Sequence, residues 1–436
     1  MGYILPTIIT FMCSSALYAV VKYFSKSSSR KVQKFPKIPE TFWKKYEEEG
    51  EEITDVIKPY NVTFSPEFVE DLKTRLKNTN KDNDKSDDLM QELLNYWANS
   101  YDFKKCEIYI NKYPHFTTNI QGLDIHYIHV KPNIHSKGKK IFPLLMLHGW
   151  PSSIIEFYKI IPLLTCSKSE YNFIFEVIVP SLPGFGFSDA PMSHDDFSCI
   201  DMSVVLKNLM LRLGHNKFYV HGGDWGIFIS RIMSTLFPEH VLGTHCNVCA
   251  LKKFGKVPSY SNLIEITKQV ISSKKFQTDT QYFQLQAIKP ETNGVAFNDS
   301  PAALATYIIE KSLIATKYSK INRQFLEIYS YDDLINNLMI YWTSKSITTA
   351  MKVYAEQFTE SNSELIKELL NLDGVNVPCD FSYYLSKVPR TSVLRRINKN
   401  FMDIIYSQEN GRFPAIEEPR LFAEDIYFKI NKMKTI

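Results

Sequence analysis

The chain has 436 residues, of which 44% are hydrophobic and 22% charged, and these proportions are typical of a folded globular protein with a large core. Its formal net charge of +4 is too small to indicate a nucleic-acid partner, and the sequence contains no basic stripe interleaved with aromatic residues. Phosphate-binding glycine loops, dinucleotide-binding fingerprints and the His-Glu-x-x-His zinc motif are absent from it, so we expect neither a cofactor nor a metal ion.

The N-terminal segment is apolar. Residues 3–21 carry no charge and are just long enough to span a bilayer, although small residues within them leave a cleaved signal peptide as the alternative. No positive stretch precedes this segment, whereas six basic residues follow it: Lys22, Lys26, Arg30, Lys31, Lys34 and Lys37. By the positive-inside rule we predict an uncleaved transmembrane anchor at residues 1–22 and a cytosolic body.

Helical patterns come next in the chain, and strand patterns follow them. Ser65 and Pro66 have the capping residue and first-turn proline of a helix start, and residues 90–110 also have a helical pattern. Four strand-like segments then lead through turns, the later ones into helical patterns: residues 123–130, 142–148, 173–180 and 217–221. Strands that alternate with helices predict a mainly parallel sheet covered on both faces.

Residues 251–350 break this alternation. They contain helical and loop patterns but no apolar strand, and strand patterns resume only at residues 375–382 and 401–407. An insertion between late strands of such a sheet is commonly a lid, so we predict a helical lid over residues 251–350.

Three glycine-containing turns at strand ends carry the candidate chemistry: HGWP at 148–151, PSLPGFGFSD at 180–189 and HGGDWG at 221–226. The last has the Gly-x-nucleophile-x-Gly frame of the strand-to-helix turn that exposes a nucleophile above an α/β sheet. Its central residue is Asp224, where serine is the commoner occupant. The backbone N–H groups of Trp150 and Trp225 are the expected oxyanion donors. Together the three turns predict an α/β-hydrolase fold.

An aspartate nucleophile suits attack on the sp³ carbon of an epoxide or an alkyl halide, which gives a covalent alkyl-enzyme ester. The opening of an epoxide also requires a proton donor for the ring oxygen, and a tyrosine phenol can supply it. Hydrolysis of the ester then requires a general base, normally a histidine oriented by a carboxylate, and an oxyanion hole.

The whole pattern resembles the microsomal epoxide hydrolase family, which includes the juvenile hormone epoxide hydrolases of insects. Besides the three turns, the resemblance rests on YPHFTTNIQGLDIHYIHVKP (113–132), AIKPETNGVAFNDSPAALATYIIEK (287–311) and FPAIEEPRLFAEDI (413–426). It implies an α/β-hydrolase fold with a helical lid and an N-terminal extension, and the opening of epoxides to diols without cofactor or metal. It also implies that Asp224 is the nucleophile and that two lid tyrosines, Tyr282 and Tyr354, donate to the epoxide oxygen.

The resemblance completes the predicted organisation of the chain. The domains are the anchor (1–22), a tether with an N-terminal wrapping region (23–110), the first part of the hydrolase core (111–250), the lid (251–350) and the second part of the core (351–436). The implied location is the endoplasmic reticulum membrane, and the implied ligand is a lipophilic epoxide or a related apolar small molecule.

The sequence departs from the family pattern at the base. Arg412 stands where the family has its catalytic histidine, and the last histidine of the whole chain is His245. By count along the chain, the acid that would orient the base falls on Lys387, and Asp380 is the nearest carboxylate. Arginine stays protonated at any ordinary pH and cannot accept a proton from water. Strand alternation predicts that His221 faces away from the nucleophile and packs against the sheet.

Several hypotheses remain open at this point. The favoured one keeps epoxide binding and alkylation of Asp224 but has severely impaired hydrolysis. A fully active epoxide hydrolase would need an unrecognised base, for which a desolvated Lys387 is a candidate. A pseudoenzyme would bind a lipophilic ligand without any chemistry. A haloalkane dehalogenase fits the aspartate nucleophile but neither the tyrosine contexts nor the anchor.

Overall fold

The structure is a computed structural model, and it describes residues 41–43, 55–79, 88–132, 138–191, 197–248, 282, 284–314, 321–357, 377–383 and 413–434. The predicted anchor and two candidate site residues, Lys387 and Arg412, lie outside these ranges. Among the residues that are described, no helix is both long and apolar enough to cross a membrane.

Eight strands form one mixed sheet within the described part of the chain, in the order β1-β2-β3-β5-β4-β6-β7-β8. Antiparallel pairing joins β1, β2, β3 and β5, and parallel pairing joins β5, β4, β6, β7 and β8. The bounds are β1 Lys58–Tyr60, β2 His115–Ile120, β3 Leu123–Val130, β4 Lys140–Leu147, β5 Phe173–Pro180, β6 Phe218–Gly223, β7 Val241–Val248 and β8 Cys379–Tyr383.

Helices connect and cover these strands. The bounds are α1 Pro66–Lys77, α2 Asp88–Asn99, α3 Phe103–Ile110, α4 Ile161–Thr165, α5 Cys199–Arg212, α6 Trp225–Leu236, α7 Pro290–Asp299, α8 Pro301–Ile314, α9 Arg323–Ile328, α10 Tyr331–Ser344, α11 Ile347–Gln357, α12 Pro414–Glu417 and α13 Pro419–Met433. A short 3-10 helix spans Ile154–Phe157. The described residues between β7 and β8 are helices and loops, and α11 continues past residue 350.

Both faces of the central sheet are covered. Successive side chains of a strand point to opposite faces, yet every residue of β6 and all but one of β5 are buried. Such continuous burial is typical of a parallel sheet between two layers of helices, so the predicted α/β-hydrolase architecture is confirmed.

Local signals placed several elements correctly. The Ser65 side chain accepts a hydrogen bond from the Phe68 N–H at 3.2 Å and caps α1, as the sequence predicted. The predicted bounds of β3 and β5 agree with the structure. No strand pattern indicated β7, because its apolar residues alternate with buried polar ones such as His245 and Asn247.

The buried polar residues of β7 belong to a network that fastens α13 to the sheet. The His245 Nε2–H donates to Asp425 Oδ2 on α13 at 3.1 Å, and its Nδ1 lies 2.9 Å from the Nδ1 of His221 on β6. Next to these hydrogen bonds, the Lys429 Nζ of α13 donates to Asp380 Oδ1 of β8 at 2.9 Å, and both side chains are fully buried. The His221 ring is therefore engaged within the core, between the sheet and α13.

The pKa values of the two buried carboxylates shift in opposite directions. Burial raises the pKa of Asp380, and the attraction of Lys429 does not fully offset this effect. Burial also acts to raise the pKa of Asp425, but His245, Ser382 and Lys429 together outweigh it and leave that pKa below its ordinary value. The charge of Lys429 is therefore needed to offset the cost of burying the Asp380 carboxylate.

We expect Lys429→Met to lower the free energy of unfolding by about 3–5 kcal/mol, because it leaves the Asp380 carboxylate buried without its cation. Urea denaturation of the purified protein measures the change. Lys432→Met, on a partly exposed position of the same helix, is the matched control and should change stability by about 0.5 kcal/mol or less. Adding Asp380→Leu to Lys429→Met should recover most of the loss, and a neutral single variant would contradict this account.

Candidate active site

Asp224 occupies a strained turn between β6 and α6. Its backbone has φ 51° and ψ −115°, a conformation that residues with a Cβ rarely adopt and that costs about 1–3 kcal/mol. A Cβ on Gly222 would overlap the carbonyl group of Gly226, and one on Gly226 would lie 2.9 Å from the Leu147 Cβ. The two glycines of the Gly-x-Asp-x-Gly frame are therefore required by close approach, and the turn has the strained strand-to-helix geometry that the motif predicted.

The HGWP turn after β4 presents its backbone to Asp224. The Trp150 N–H donates to Asp224 Oδ1 at 3.0 Å, so one of the two expected oxyanion donors contacts the carboxylate directly. Trp225 is the first residue of α6 and follows Asp224 in the chain. A Cβ on Gly149 would lie 2.7 Å from Asp224 Oδ1, which explains why this loop needs a glycine beside Asp224.

Tyr282 and Tyr354 meet the same two tryptophans. The Tyr282 ring stacks on Trp150 with centroids 5.6 Å apart, and the Tyr354 ring meets Trp150 edge-on at 5.9 Å. Tyr354 also packs edge-on against Trp225 at 4.7 Å, and the centroids of the two tyrosine rings are 6.5 Å apart. The structure thus brings together Asp224, both oxyanion residues and both candidate proton donors, although the tyrosines come from distant parts of the chain.

Two further residues of α8 join this aromatic group. Tyr307 lies 5.8 Å from Trp150 between ring centroids and accepts a hydrogen bond from Gln286 Nε2 at 3.1 Å. Burial raises its pKa to about 12. The Lys311 ammonium stands over the rings of Tyr307 and Tyr282 at 5.2 and 5.7 Å. Both residues lie within the family-specific stretch 287–311, but neither was assigned a role from sequence.

His148 and His221, the histidines nearest the catalytic turns in sequence, have other partners. The His148 Nδ1–H donates to the Gly149 carbonyl at 3.1 Å, and its Nε2 accepts from the Leu182 N–H at 3.2 Å. Burial lowers the pKa of His148 to about 4, so it stays neutral and holds the HGWP turn against the PSLPG turn. Burial and neighbouring His245 hold the pKa of His221 well below its usual range.

Asp380, the carboxylate nearest the missing acid in sequence, is bound to Lys429 in the core. Arg412 and Lys387 lie outside the described residues, but the structure describes the chain again from Phe413. Phe413 and Ile416 line a small cavity together with Pro151 of the HGWP turn and Ser152, which follows it. The residue that follows Arg412 in the sequence therefore shares a cavity with the loop that contacts Asp224.

Comparison with known proteins agrees with this geometry. A family model described as the epoxide hydrolase N terminus matches residues 57–157, and one described as the alpha/beta hydrolase fold matches residues 143–364. The chain is 39% identical to juvenile hormone epoxide hydrolase 1 of Ctenocephalides felis, over 92% of this chain and 90% of the relative. The chain belongs to the epoxide hydrolase family. Its relatives include the juvenile hormone and the epoxide hydrolase 1 types.

Two more relatives support the assignment to the epoxide hydrolase family. Epoxide hydrolase 1 of Oryctolagus cuniculus is 36% identical, over 85% of this chain and 88% of the relative. The crystal structure of juvenile hormone epoxide hydrolase from the silkworm Bombyx mori superposes with a TM-score of 0.79 at 33% identity, covering 91% of this chain and 99% of that one. The fold resemblance inferred from the sequence is thereby confirmed over nearly the whole chain.

We expect Gly149→Ala to lower the free energy of unfolding by about 1–3 kcal/mol, because the new methyl group overlaps the Asp224 side chain. In an Asp224→Gly background the same change should cost far less, because all three of the nearest obstructing atoms belong to that side chain. Gly138→Ala, which has no atom within 4 Å of its added Cβ, is the control and should cost the same in both backgrounds. Denaturation curves of these variants and the native chain give the coupling energy, and additive effects would show that the Asp224 side chain is not the obstruction.

Proposed function

We propose that this protein binds a lipophilic epoxide, opens it by attack of Asp224, and hydrolyses the resulting ester slowly. The observation that carries the proposal is the 3.0 Å contact between the Trp150 N–H and Asp224 Oδ1, beside Tyr282 and Tyr354. The parts needed for alkylation converge there, whereas Arg412 replaces the base needed for release.

The first half-reaction follows from this arrangement. Asp224 Oδ1 accepts from an oxyanion donor, so Oδ2 is the oxygen that attacks the epoxide carbon. A carbon–oxygen bond of the ring breaks as the ester bond forms, and the departing ring oxygen takes the phenol proton of Tyr282 or Tyr354. The products are an alkyl ester on Asp224 and a hydroxyl group, and the tyrosinate recovers its proton from solvent.

The second half-reaction lacks its usual base. Water must attack the ester carbonyl and lose a proton, and the protonated guanidinium of Arg412 cannot accept it. Loss of general-base assistance slows such a step by roughly 10²–10⁴-fold. Phe413 and Pro151 of the HGWP turn line the same cavity, which supports a position for Arg412 near Asp224, where the two side chains would pair. That pair keeps the carboxylate ionised but occupies its lone pairs and slows its attack.

The aromatic walls of the site favour an apolar substrate. Tyr282, Tyr307 and Tyr354 each contact Trp150, whose N–H donates to Asp224. Apolar surroundings with few polar groups are typical of a site for lipophilic small molecules. Since several relatives are juvenile hormone epoxide hydrolases, an isoprenoid epoxide of this type is the first substrate to test. Residues 1–22 would hold the protein on the endoplasmic reticulum membrane, with its body in the cytosol.

Incubation with a lipophilic isoprenoid epoxide should produce a stable covalent adduct of one equivalent, because alkylation outruns hydrolysis. Intact-mass spectrometry over time measures the adduct, and peptide mapping should place it on Asp224. Asp224→Asn should abolish it. Diol in excess of one equivalent without a persistent adduct would instead mean that another base works, and the absence of both adduct and diol would leave a non-covalent binding protein.

We expect Arg412→His combined with Lys387→Glu to restore multiple turnover, because the pair supplies a base and an acid at the family positions. Diol release should rise by roughly 10²–10⁴-fold over the native chain. Arg420→His, on an exposed position of α13, is the matched control and should leave the rate unchanged. If the double variant alkylates yet still releases no diol, the missing base does not account for slow hydrolysis.

A further inference from the structure

Three metal-binding side chains meet at a place distant from the active site. His129 of β3, Glu176 of β5 and His215 of the loop after α5 each offer one ligand atom, and these atoms all lie within 4.8 Å of one another. His129 is opposite Ile178 in the antiparallel β3–β5 pairing, and Glu176 is two residues from Ile178, so both side chains project from the same face of the sheet. The loop then brings His215 to this face.

The ligand atoms of this cluster are close enough together to reach one metal ion. The His129 Nε2 lies 2.6 Å from Glu176 Oε1, and the His215 Nε2 lies 3.5 Å from the same oxygen. The His215 Nε2 is buried and makes no hydrogen bond. Tetrahedral ligands of zinc stand about 3.3 Å apart, so small side-chain rotations suffice to bring all three to one ion.

Ligand chemistry and accessibility also suit a cation. Glu176 offers a carboxylate oxygen and the two histidines offer imidazole nitrogens, all of which are ligands that divalent transition metals accept. The side chains of His129, Glu176 and His215 remain 13%, 13% and 15% exposed. An ion can therefore reach the cluster from solvent without unfolding the sheet.

The cluster is separate from the catalytic turns. Glu176 is opposite Pro143 in β4, and the next residue, Leu144, is opposite Tyr219 in β6. The cluster is thus level with the beginning of β6, whereas Asp224 follows its end, roughly 20 Å further along the strand. Its ligands cannot belong to the epoxide site.

We propose that His129, Glu176 and His215 form a zinc-binding site, with water as the fourth ligand, that ties the α5–β6 loop to the antiparallel part of the sheet. Two imidazoles and one carboxylate are a ligand set typical of zinc, whereas Mg²⁺ and Ca²⁺ prefer oxygen ligands only. The sequence predicted no metal ion because the three residues are far apart in the chain and form no spacing motif. The proposal is independent of the function proposed for Asp224.

The test uses the full-length, detergent-solubilised protein stripped of metal with a chelator and titrated with Zn²⁺ alone. Equilibrium dialysis with elemental analysis should find one equivalent bound, and Zn²⁺ should raise the melting temperature. His215→Ala should weaken binding by at least about 100-fold and remove the thermal shift, because a direct ligand matters more than an outer-shell partner. Glu176→Gln should act similarly while nearly preserving side-chain shape.

Controls separate a specific site from adventitious binding. His240→Ala removes a histidine whose Nε2 lies 3.7 Å from Glu239 elsewhere on the protein, and it should bind zinc like the native chain. Asp224→Asn should also bind normally, whatever its effect on epoxides. Because His215 lies in a loop, its variant should keep the native circular dichroism spectrum. No bound zinc in the native chain, or unchanged affinity in folded His215→Ala, would overturn the proposal.

Discussion

The left-handed backbone of Asp224 is the constraint on which the rest of the active site depends. A residue with a Cβ is held in this conformation only when its surroundings leave no alternative. Here the parallel register of β4 and β6, in which Leu147 is opposite Gly222, sets the two turns side by side. That register delivers the Trp150 N–H to the carboxylate and leaves room for nothing larger than hydrogen at Gly149. The stability of the sheet thus offsets the strain of the turn.

The sequence predicted those parts of the site whose constraints are local. The turn at Asp224 needs glycines at positions only two residues away in the sequence, so the short motif alone indicated it. Tyr282 and Tyr354 depended instead on family-specific contexts, because nothing in their neighbourhood says that they will meet at Trp150. The strand β7 and the His129–Glu176–His215 cluster produced no such signal, since their polar residues are satisfied only by partners from distant strands and loops. Short sequence patterns cannot predict contacts between residues that are far apart in the chain.

The two half-reactions proposed for Asp224 would draw on different regions of the chain. The groups proposed for alkylation belong to the turns after β4 and β6 and to Tyr282 and Tyr354, and contacts among their rings connect them. Arg412 and Lys387, the positions proposed to impair release, fall between β8 and α12 in the sequence. Because the regions are distinct, substitutions at these two positions would remove one chemical step and leave the groups of the other in place.

The position of α13 has a consequence for the short helix α12 that precedes it. Asp425 and Lys429 are four residues apart and thus share one face of the helix, where each meets a partner on a different strand. Rotating the helix by a single residue would turn both side chains away from these partners, so the two buried contacts admit one rotational setting. That setting also fixes where α12 begins and where Phe413 meets the cavity that it shares with Pro151. Two contacts at the far side of the sheet thus determine one wall of that cavity.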